Sequence, residues 1–553
     1  MKSKSLIISI LFVVASFVAN AQSHNEQVTV EGSYRPQIKR SERLLKTPQA
    51  PDNEFDIPNY KAGVRDFDYG YNMEVETMSA MSYKAEYGVE GKNNFLKAAL
   101  GTRLSPVFLF RHYSDVSRNM SLGVGVRHYS SWLDMKDYKK SSFMNNNFSV
   151  MTVNKFRGGQ LRPFIDYKYD MYHLRAYEGE NTDGRNIHSI NAGAKWLSSG
   201  SSYRNLYTEF GGDYRATWIP DGITEHQLNG TAHMAYSDDW IFNESVNKLQ
   251  TIAADIDVNY DNVYQGQLII ALNPYFTMSG DFYNIHAGVR LDLKTGDDAG
   301  VYPDVSGSIF VLDNALEFYA KFGGRSAINT FADIVAENPF VTTDFKKFSE
   351  FGYEKTIFDF QAGVKSKIAN NIDAHVGVRY RNMQNGVFYE PYNNYHGDNE
   401  NDALCRLQTF DIVLSDYDVV NVLADVHWKA MEKLDVAAEL SINSIMLADG
   451  QLIDEAWYKP SFTMALRGDY RLDEIWKFNA SMMVLGRRWA LNTEGEKVKL
   501  KPAWDLMLGT DCQIQEDLFA FAEIHNLFHQ KYQLYYNYPS LGFEIFVGIK
   551  YRF

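Results

Sequence analysis

The chain has 553 residues and a formal net charge of −14, and 14% of its residues are Phe, Trp or Tyr. Its negative charge argues against nucleic acid as a partner, because a nucleic-acid site needs a cationic surface. With only two cysteines, Cys405 and Cys512, a disulfide-stabilised framework is not expected either.

The first residues have the composition of a secretory signal peptide. Two lysines precede an apolar stretch over 6–18, and small residues at Ala19 and Ala21 mark a cleavage site. No Cys lies at that cleavage junction, so a lipid anchor is not expected. We therefore predict a signal peptide over 1–21 and a mature chain that is exported.

The next segment, residues 22–80, is predicted to be extended and periplasmic or lumenal, because its recurring prolines exclude a continuous helix. It begins with a short alternating stretch made of Gln27, Val28, Thr29, Val30 and Glu31. Its basic residues, which acidic groups elsewhere in the molecule would attract, are Arg35, Lys39, Arg40, Arg43 and Lys46.

Residues 81–553 form a long series of alternating segments of about ten residues, separated by turn residues. Ile285, Val289 and Leu293 share one face of such a segment, whereas His286 and Arg290 share the other. A secreted array of β-sandwiches would alternate in the same way, but the aromatic content favours a membrane barrel with girdles of aromatic residues at both interfaces.

The fold class predicted from this pattern is all-β, a transmembrane antiparallel β-barrel of about 22 strands. After Ala21 the sequence has no apolar run of about 18 residues, the length that a spanning helix needs. The length of the barrel segment agrees with this number of strands, because dividing it by 22 gives about 21 residues for each strand and its connection. Connections near 176–187, 324–355 and 486–498 are the longest candidates for external loops.

The last segment ends the chain on an aromatic residue. Its lipid-facing side is predicted to carry Phe543, Ile545, Val547, Ile549, Tyr551 and Phe553. A terminal aromatic on such a strand resembles the signal that the outer-membrane insertion machinery reads, and Tyr551 and Phe553 would carry it. We therefore predict the outer membrane of a Gram-negative bacterium, in contact with lipid and lipopolysaccharide.

Two groups of short motifs resemble the barrels of TonB-dependent receptors. The closing hairpin of that family is similar to Asn526-Leu527-Phe528, Lys531-Tyr532, Tyr538-Pro539 and Gly542. A mid-barrel loop and strand of the family are similar to Asn338-Pro339, Ser349-Glu350-Phe351-Gly352 and the strand from Phe360 to Lys365. The resemblance covers roughly residues 80–553 and implies a receptor or transporter barrel.

The stretch from Gln27 to Glu31 also resembles the box by which such receptors pair with TonB, although any exposed short strand has the same composition. Family receptors place a folded plug domain between that box and the barrel, whereas here only residues 33–80 intervene. We therefore predict a barrel that lacks a full plug. Inward-folded loops, the segment 22–80 or a partner protein would then have to fill the lumen.

Catalysis is not expected, because the mature sequence has no phosphate-binding Gly loop, standard metal-ligand spacing or nucleophile elbow. We predict no cofactor and no metal, and we interpret the acidic run at 398–402 as a solvated loop rather than a calcium site. An aromatic platform for a ligand is predicted from Phe388, Tyr389, Tyr392 and Tyr395, which an interfacial girdle would explain equally well. Arg487, Arg488 and Trp489 are candidates for contact with lipopolysaccharide phosphate or for an interface anchor.

Two functions are compatible with these sequence features. The first is a receptor or transporter barrel without a plug, coupled to TonB through residues 27–31. The second is a non-transporting structural subunit of an outer-membrane assembly or secretion complex. In that case the segment 22–80 would bind periplasmic partner proteins.

Overall fold

The computed structural model of the chain describes residues 93–553, with gaps at 136–139, 175–183, 199–205, 221, 239–248, 264, 313–314, 344–352, 370, 393–407 and 493–494. The predicted signal peptide, the segment 22–80 and the box at 27–31 lie outside the described residues.

Within these ranges, twenty-two antiparallel strands form one closed sheet, as the sequence predicts. They are β1 (Asn94–Gly101), β2 (Ser105–Ser117), β3 (Met120–Ser131), β4 (Phe143–Phe156), β5 (Gly159–His173), β6 (Gly184–Ser198), β7 (Leu206–Trp218), β8 (Thr224–Asp238), β9 (Leu249–Asn262), β10 (Gly266–Gly280), β11 (Tyr283–Lys294), β12 (Gly300–Val311), β13 (Leu316–Ala327), β14 (Glu354–Ala369), β15 (Ile372–Pro391), β16 (Phe410–Met431), β17 (Leu434–Leu447), β18 (Phe462–Arg471), β19 (Trp476–Leu485), β22 (Ala503–Gln515), β23 (Leu518–His525) and β26 (Glu544–Arg552).

The remaining elements lie in the connections between barrel strands. A short helix, α1 (Phe331–Glu337), follows β13. Two small sheets are formed by β20 (Arg488–Leu491) with β21 (Lys497–Leu500), and by β24 (Gln533–Tyr535) with β25 (Tyr538–Pro539). Among the described residues, no helix has the length and apolar content needed to cross a bilayer.

The barrel closes where its first strand pairs with its last. Leu96 of β1 lies opposite Tyr551 of β26, and the antiparallel register continues from Phe95 to Gly101. Every other barrel strand pairs with its neighbours in chain order. The closed sheet has no free edge, so its backbone hydrogen bonds are satisfied without water.

Alternation along the strands separates an apolar exterior from a polar interior. On β11 the side chains of Ile285, Val289 and Leu293 are exposed, whereas the inward-facing Asp292 is fully buried. This confirms the predicted faces, since only lipid stabilises a continuous apolar exterior. Exposed aromatic residues mark both ends of the exterior and include Trp476, Phe478, Tyr551 and Phe553 at one end, and Tyr214, Tyr260 and Trp504 at the other.

The two ends of the barrel differ in their connections. At the turn end, short turns such as 118–119, 281–282 and 516–517 join the strands, and the Asn94 amide donates to the Phe553 carbonyl at 3.0 Å. The longest connections lie at the loop end, and the three predicted external loops are among them. The usual arrangement of outer-membrane barrels puts short turns in the periplasm and long loops outside.

Candidate functional site

The inner wall of the barrel carries hydrogen-bonded polar side chains. In the described ranges, three histidines of the wall each pair with a carboxylate of the next strand and lie against a tyrosine of an earlier strand. The His–Asp distances are 2.6 Å for His233 and Asp255, 2.8 Å for His286 and Asp304, and 2.7 Å for His375 and Asp425. The tyrosines are Tyr207, Tyr275 and Tyr319, and the last hydroxyl lies 2.7 Å from His375 Nε2.

Charge is unevenly distributed around this wall. Cations outnumber carboxylates on the inner faces of β1–β5, where the alternation places Lys97, Arg111, Arg127, Lys155, Arg162 and Lys168. Carboxylates outnumber cations on β7–β12, where it places Glu209, Asp213, Asp255, Asp257 and Asp304. In the described part of the chain, no group of three His, Cys, Asp or Glu side chains is arranged to hold a metal ion.

The loop end of the lumen contains a packed cluster of apolar and aromatic side chains. We call the connections that form it, residues 328–343, 448–461, 486–502 and 526–543, the cap. Their buried side chains include Phe331, Ile334, Phe340, Val341, Trp457, Tyr458, Tyr535 and Tyr538. Phe340 and Tyr538 stack with ring centroids 3.7 Å apart. Burial in the cap raises the pKa of the Tyr458 phenol well above its usual range, so this hydroxyl stays protonated.

Residues 328–343, which we call the crossing segment, run across the lumen. The segment leaves β13 and returns toward β14, yet the Arg185 guanidinium of β6 donates to the carbonyls of Pro339, at 3.0 Å, and Val341. The Glu225 carboxylate of β8 accepts the amides of Phe331 and Ala332, the latter at 2.9 Å. Because β6 and β8 are separated from β13 by several strands of the closed wall, these bonds must span the interior.

Local sequence explains the helix within the crossing segment. The Thr330 hydroxyl accepts the Asp333 amide at 3.1 Å, which is the N-cap arrangement. Phe331, Ile334 and Val335 then lie on one buried face at the spacing of a helix. The helix ends at Glu337, and Pro339 two residues later cannot continue it.

Glu337 joins the helix to the other parts of the cap. Its carboxylate accepts the Tyr389 hydroxyl at 2.9 Å and the Lys459 ammonium at 3.1 Å. Its backbone carbonyl accepts the Tyr535 hydroxyl at 2.8 Å. The crossing segment is therefore bonded to the wall at β15 and to the connection between β23 and β26 as well as to β6 and β8.

The structure places the predicted ligand-binding aromatics inside this packing. Phe388 and Tyr389 lie in β15 and Tyr392 follows it, and their exposed fractions are 0%, 1% and 9%. Tyr395 lies outside the described residues. That these side chains bind a ligand stays a prediction, and in this arrangement a ligand would reach them only after the cap moves.

The interpretation of Arg488 as a candidate contact for lipopolysaccharide phosphate is wrong. Arg488 is only 2% exposed, and its guanidinium donates to the backbone carbonyls of Gln533, at 2.8 Å, and Leu534, at 3.2 Å. It therefore holds β24 within the cap and does not face lipopolysaccharide. Trp489 has the ammonium groups of Lys497 and Lys499 over its ring at 4.8 and 5.0 Å.

Sequence reasoning missed Arg185 and Glu225, although both have a detectable signal. Each is a charged residue close to the start of an alternating strand, next to a loop, where the wall can meet an inward-folded connection. Their partners lie 154 and 106 residues away in sequence, so the pairing itself could not be predicted from a local sequence pattern. Tyr551 and Phe553 lie on the exterior at the turn end, and their role as an insertion signal stays a prediction.

No family model matches the sequence, and no curated protein matches it. Solved structures do match the fold. The ferric-catecholate import receptor Fiu from K12 E. coli aligns with a TM-score of 0.60 over 84% of this chain and 82% of its own, at 9% identity. The chain has the fold of the outer-membrane receptor barrels.

Further solved structures agree with this assignment. The copper transporter OprC aligns with a TM-score of 0.58 at 11% identity, covering 83% of this chain and 82% of its own. The pyoverdine receptor FpvA from Pseudomonas aeruginosa aligns with a TM-score of 0.60 at 10% identity, covering 84% and 79%. At such identities the likeness concerns the fold. A closed barrel with an apolar exterior resides in the outer membrane.

Proposed function

We propose that this chain is a receptor or transporter-like barrel without a separate plug domain, in which the cap is the permeability barrier. The observation that carries the proposal is the crossing segment, which is bonded to β6 and β8 and also to Tyr535. A lumen of 22 strands is wide enough to need such an obstruction. Occlusion of the lumen by inward-folded loops is thus favoured over occlusion by the segment 22–80 or by a partner protein.

The N-terminal segment supports coupling to TonB in this proposal. The stretch from Gln27 to Glu31 has the composition for strand addition to a partner's sheet edge. The first barrel strand begins at Asn94 at the turn end, the end assigned to the periplasm, where a periplasmic partner would be.

The cargo class is proposed from the fold relatives. These include receptors for ferric catecholate and pyoverdine and a copper transporter, so metal chelates are the first probes to use. The binding surface would be the aromatic group at Phe388, Tyr389 and Tyr392, with Tyr395 beyond it. Aromatic side chains supply large contact areas for such ligands.

The coupling claim is tested with a photo-crosslinking residue at Thr29 in the full-length protein, expressed in cells that contain TonB. We expect a covalent adduct with TonB, because strand addition brings residue 29 within contact distance of the partner. The matched control carries the crosslinker at Ser23, outside the box. Absence of a TonB adduct at residue 29 from an assembled barrel would contradict the coupling.

The second candidate function is that of a structural subunit of an outer-membrane assembly or secretion complex. The burial of Phe388 and Tyr389 favours it, since the packed cap covers the described part of the predicted aromatic platform. Extraction of the full chain in mild detergent should then recover partners in fixed stoichiometry. A monodisperse barrel without partners would count against this role.

A further inference from the structure

The cap is attached to the two sides of the barrel in different ways. On the side of β15, β16 and the connection between β23 and β26, aromatic side chains pack against each other, as Phe340 does on Tyr538. Backbone hydrogen bonds also join residues 340 and 342 to Phe410 there, and the Glu337 carboxylate accepts the Tyr389 hydroxyl. On the side of β5–β8, the hydrogen bonds to the crossing segment include those of two deeply buried ionisable side chains, Arg185 and Glu225.

These two charges bind the backbone of the crossing segment at its two ends. The Glu225 carboxylate takes the amides of residues 331 and 332, and the Arg185 guanidinium takes the carbonyls of residues 339 and 341. Amide donors meet the Glu225 oxygens and carbonyl acceptors meet the Arg185 guanidinium, so each end of the segment has complementary hydrogen-bonding groups. Because the bonds are directional, they fix one position of the segment against the wall.

Apolar side chains also contribute on this side, among them Leu174, Ile187, Ile219 and Ile223. Phe340 reaches Tyr172 of β5, with ring centroids 6.0 Å apart. They pack against the segment without fixing its position, because apolar contact is not directional. Glu337, the ionisable group of the crossing segment on the other side, is 16% exposed, so the two sides of the barrel differ in the depth at which their ionisable groups are buried.

Release would affect the two kinds of attachment differently. The free energy lost by removing a charge from water is nearly as large as the free energy gained from its partners. A buried charge that is hydrated again therefore loses little free energy. The inner wall next to Glu225 carries polar side chains that can be hydrated, Gln227 on the same strand and Asp261 opposite it on β9. Separation on either side would expose apolar surface to water, and the aromatic side would expose the larger side chains, so separation there is the less favourable. The charged side is thus the one that can open.

We propose that Arg185 and Glu225 form a latch, and that the cap opens by letting the crossing segment leave β5–β8 while it stays packed on Tyr535 and Tyr538. The opening is then a gap between the cap and the wall at β5–β8. This inference rests on the proposed role of the cap as the barrier. Beyond that role, the inference specifies which side of the cap moves and which residues keep the cap closed.

The test measures thiol accessibility on each side of the cap. In a full-length chain with Cys405 and Cys512 replaced by serine, one variant carries Ile187→Cys in the proposed gap and another carries Ala490→Cys in the retained part. Both positions are buried, with exposed fractions of 6% and 0%. Labelling in intact outer membranes with an impermeant maleimide should be at least about tenfold faster at residue 187, since local opening governs access to buried groups.

Latch variants then test the two charges directly. Arg185→Met or Glu225→Gln should raise the labelling rate at residue 187 by about tenfold or more and leave residue 490 unchanged. The matched control is Lys195→Ala, which removes another lumenal cation of β6 that pairs with Glu209 and not with the cap. It should change neither rate. Heat-modifiable gel mobility confirms that each barrel is folded.

The outcomes separate this inference from the proposed function. If residues 187 and 490 label at equal rates in the otherwise unchanged chain, and the latch variants accelerate neither or both, the latch is wrong. The cap can still be the barrier in that case, which replacing residues 329–342 by a short Gly/Ser linker would show as a gain in conductance. If the linker variant does not conduct, the proposed function fails independently of the latch.

Discussion

Lys97 fixes the seam at which the barrel closes. Its ammonium lies 2.9 Å from the Glu523 carboxylate, and the two side chains are 5% and 6% exposed. Lys97 belongs to β1 and Glu523 to β23, so the pair bridges β26, which lies between them. The same ammonium lies 4.5 Å from the centre of the Phe521 ring. One side chain therefore joins the first strand to the end of the chain.

We predict that Lys97→Met lowers the free energy of unfolding by about 3 kcal/mol, because it leaves a buried carboxylate without its nearest cation. Urea unfolding of the barrel in lipid vesicles measures this change. Adding Glu523→Gln to that variant should restore part of the loss. A single variant within about 0.5 kcal/mol of the original chain would contradict the role given to the pair.

At the residue scale, the sequence could predict composition but not partners. The aromatic group at 388–392 was recognisable as a cluster, yet its burial depends on the crossing segment, which arrives from elsewhere in the chain. The sequence places Arg488 in a long connection that is a candidate external loop, which predicts an exposed cation. Its carbonyl partners lie about 45 residues further along and are brought to it by the folding of the cap.

At the element scale, the strands were readable because each has two chemically different faces. On β12, Val305 is exposed on the lipid side, and its neighbour Ser306 faces the lumen opposite His286. The terminal strand β26 was predicted in the same way from its exterior residues. The helix α1 was not predicted, because seven residues between strands give too short a pattern to distinguish from a loop.

Substitutions on β12 test the assignment of faces. We predict that Val305→Arg costs about 2–4 kcal/mol of barrel stability, because a cation on the lipid face must be buried in hydrocarbon. Ser306→Arg is the matched control one residue away and should be tolerated, since the lumen is wet. Refolding yield and urea unfolding in vesicles report both variants. Equal effects at the two positions would mean that the faces are assigned wrongly.

At the scale of the whole molecule, the closed barrel followed from chain length and alternation, whereas the filling of its lumen did not. The sequence was compatible with a lumen occluded by loops, by the segment 22–80 or by a partner protein. The structure shows that loops fold inward at the loop end. Contacts such as those of Arg185 with residues 339 and 341 join parts of the chain about 155 residues apart. No local pattern encodes such pairs, so only the folded barrel reveals them.

The central claim is that the cap closes the lumen, and single-channel conductance in planar bilayers tests it most directly. Three proteins are compared: the full chain, a chain without residues 22–80, and a chain with residues 329–342 replaced by a Gly/Ser linker. We predict that the first two are silent and that the third conducts, because the crossing segment spans the interior. Conductance from the chain without residues 22–80, together with silence from the linker variant, would contradict the claim and make the N-terminal segment the barrier.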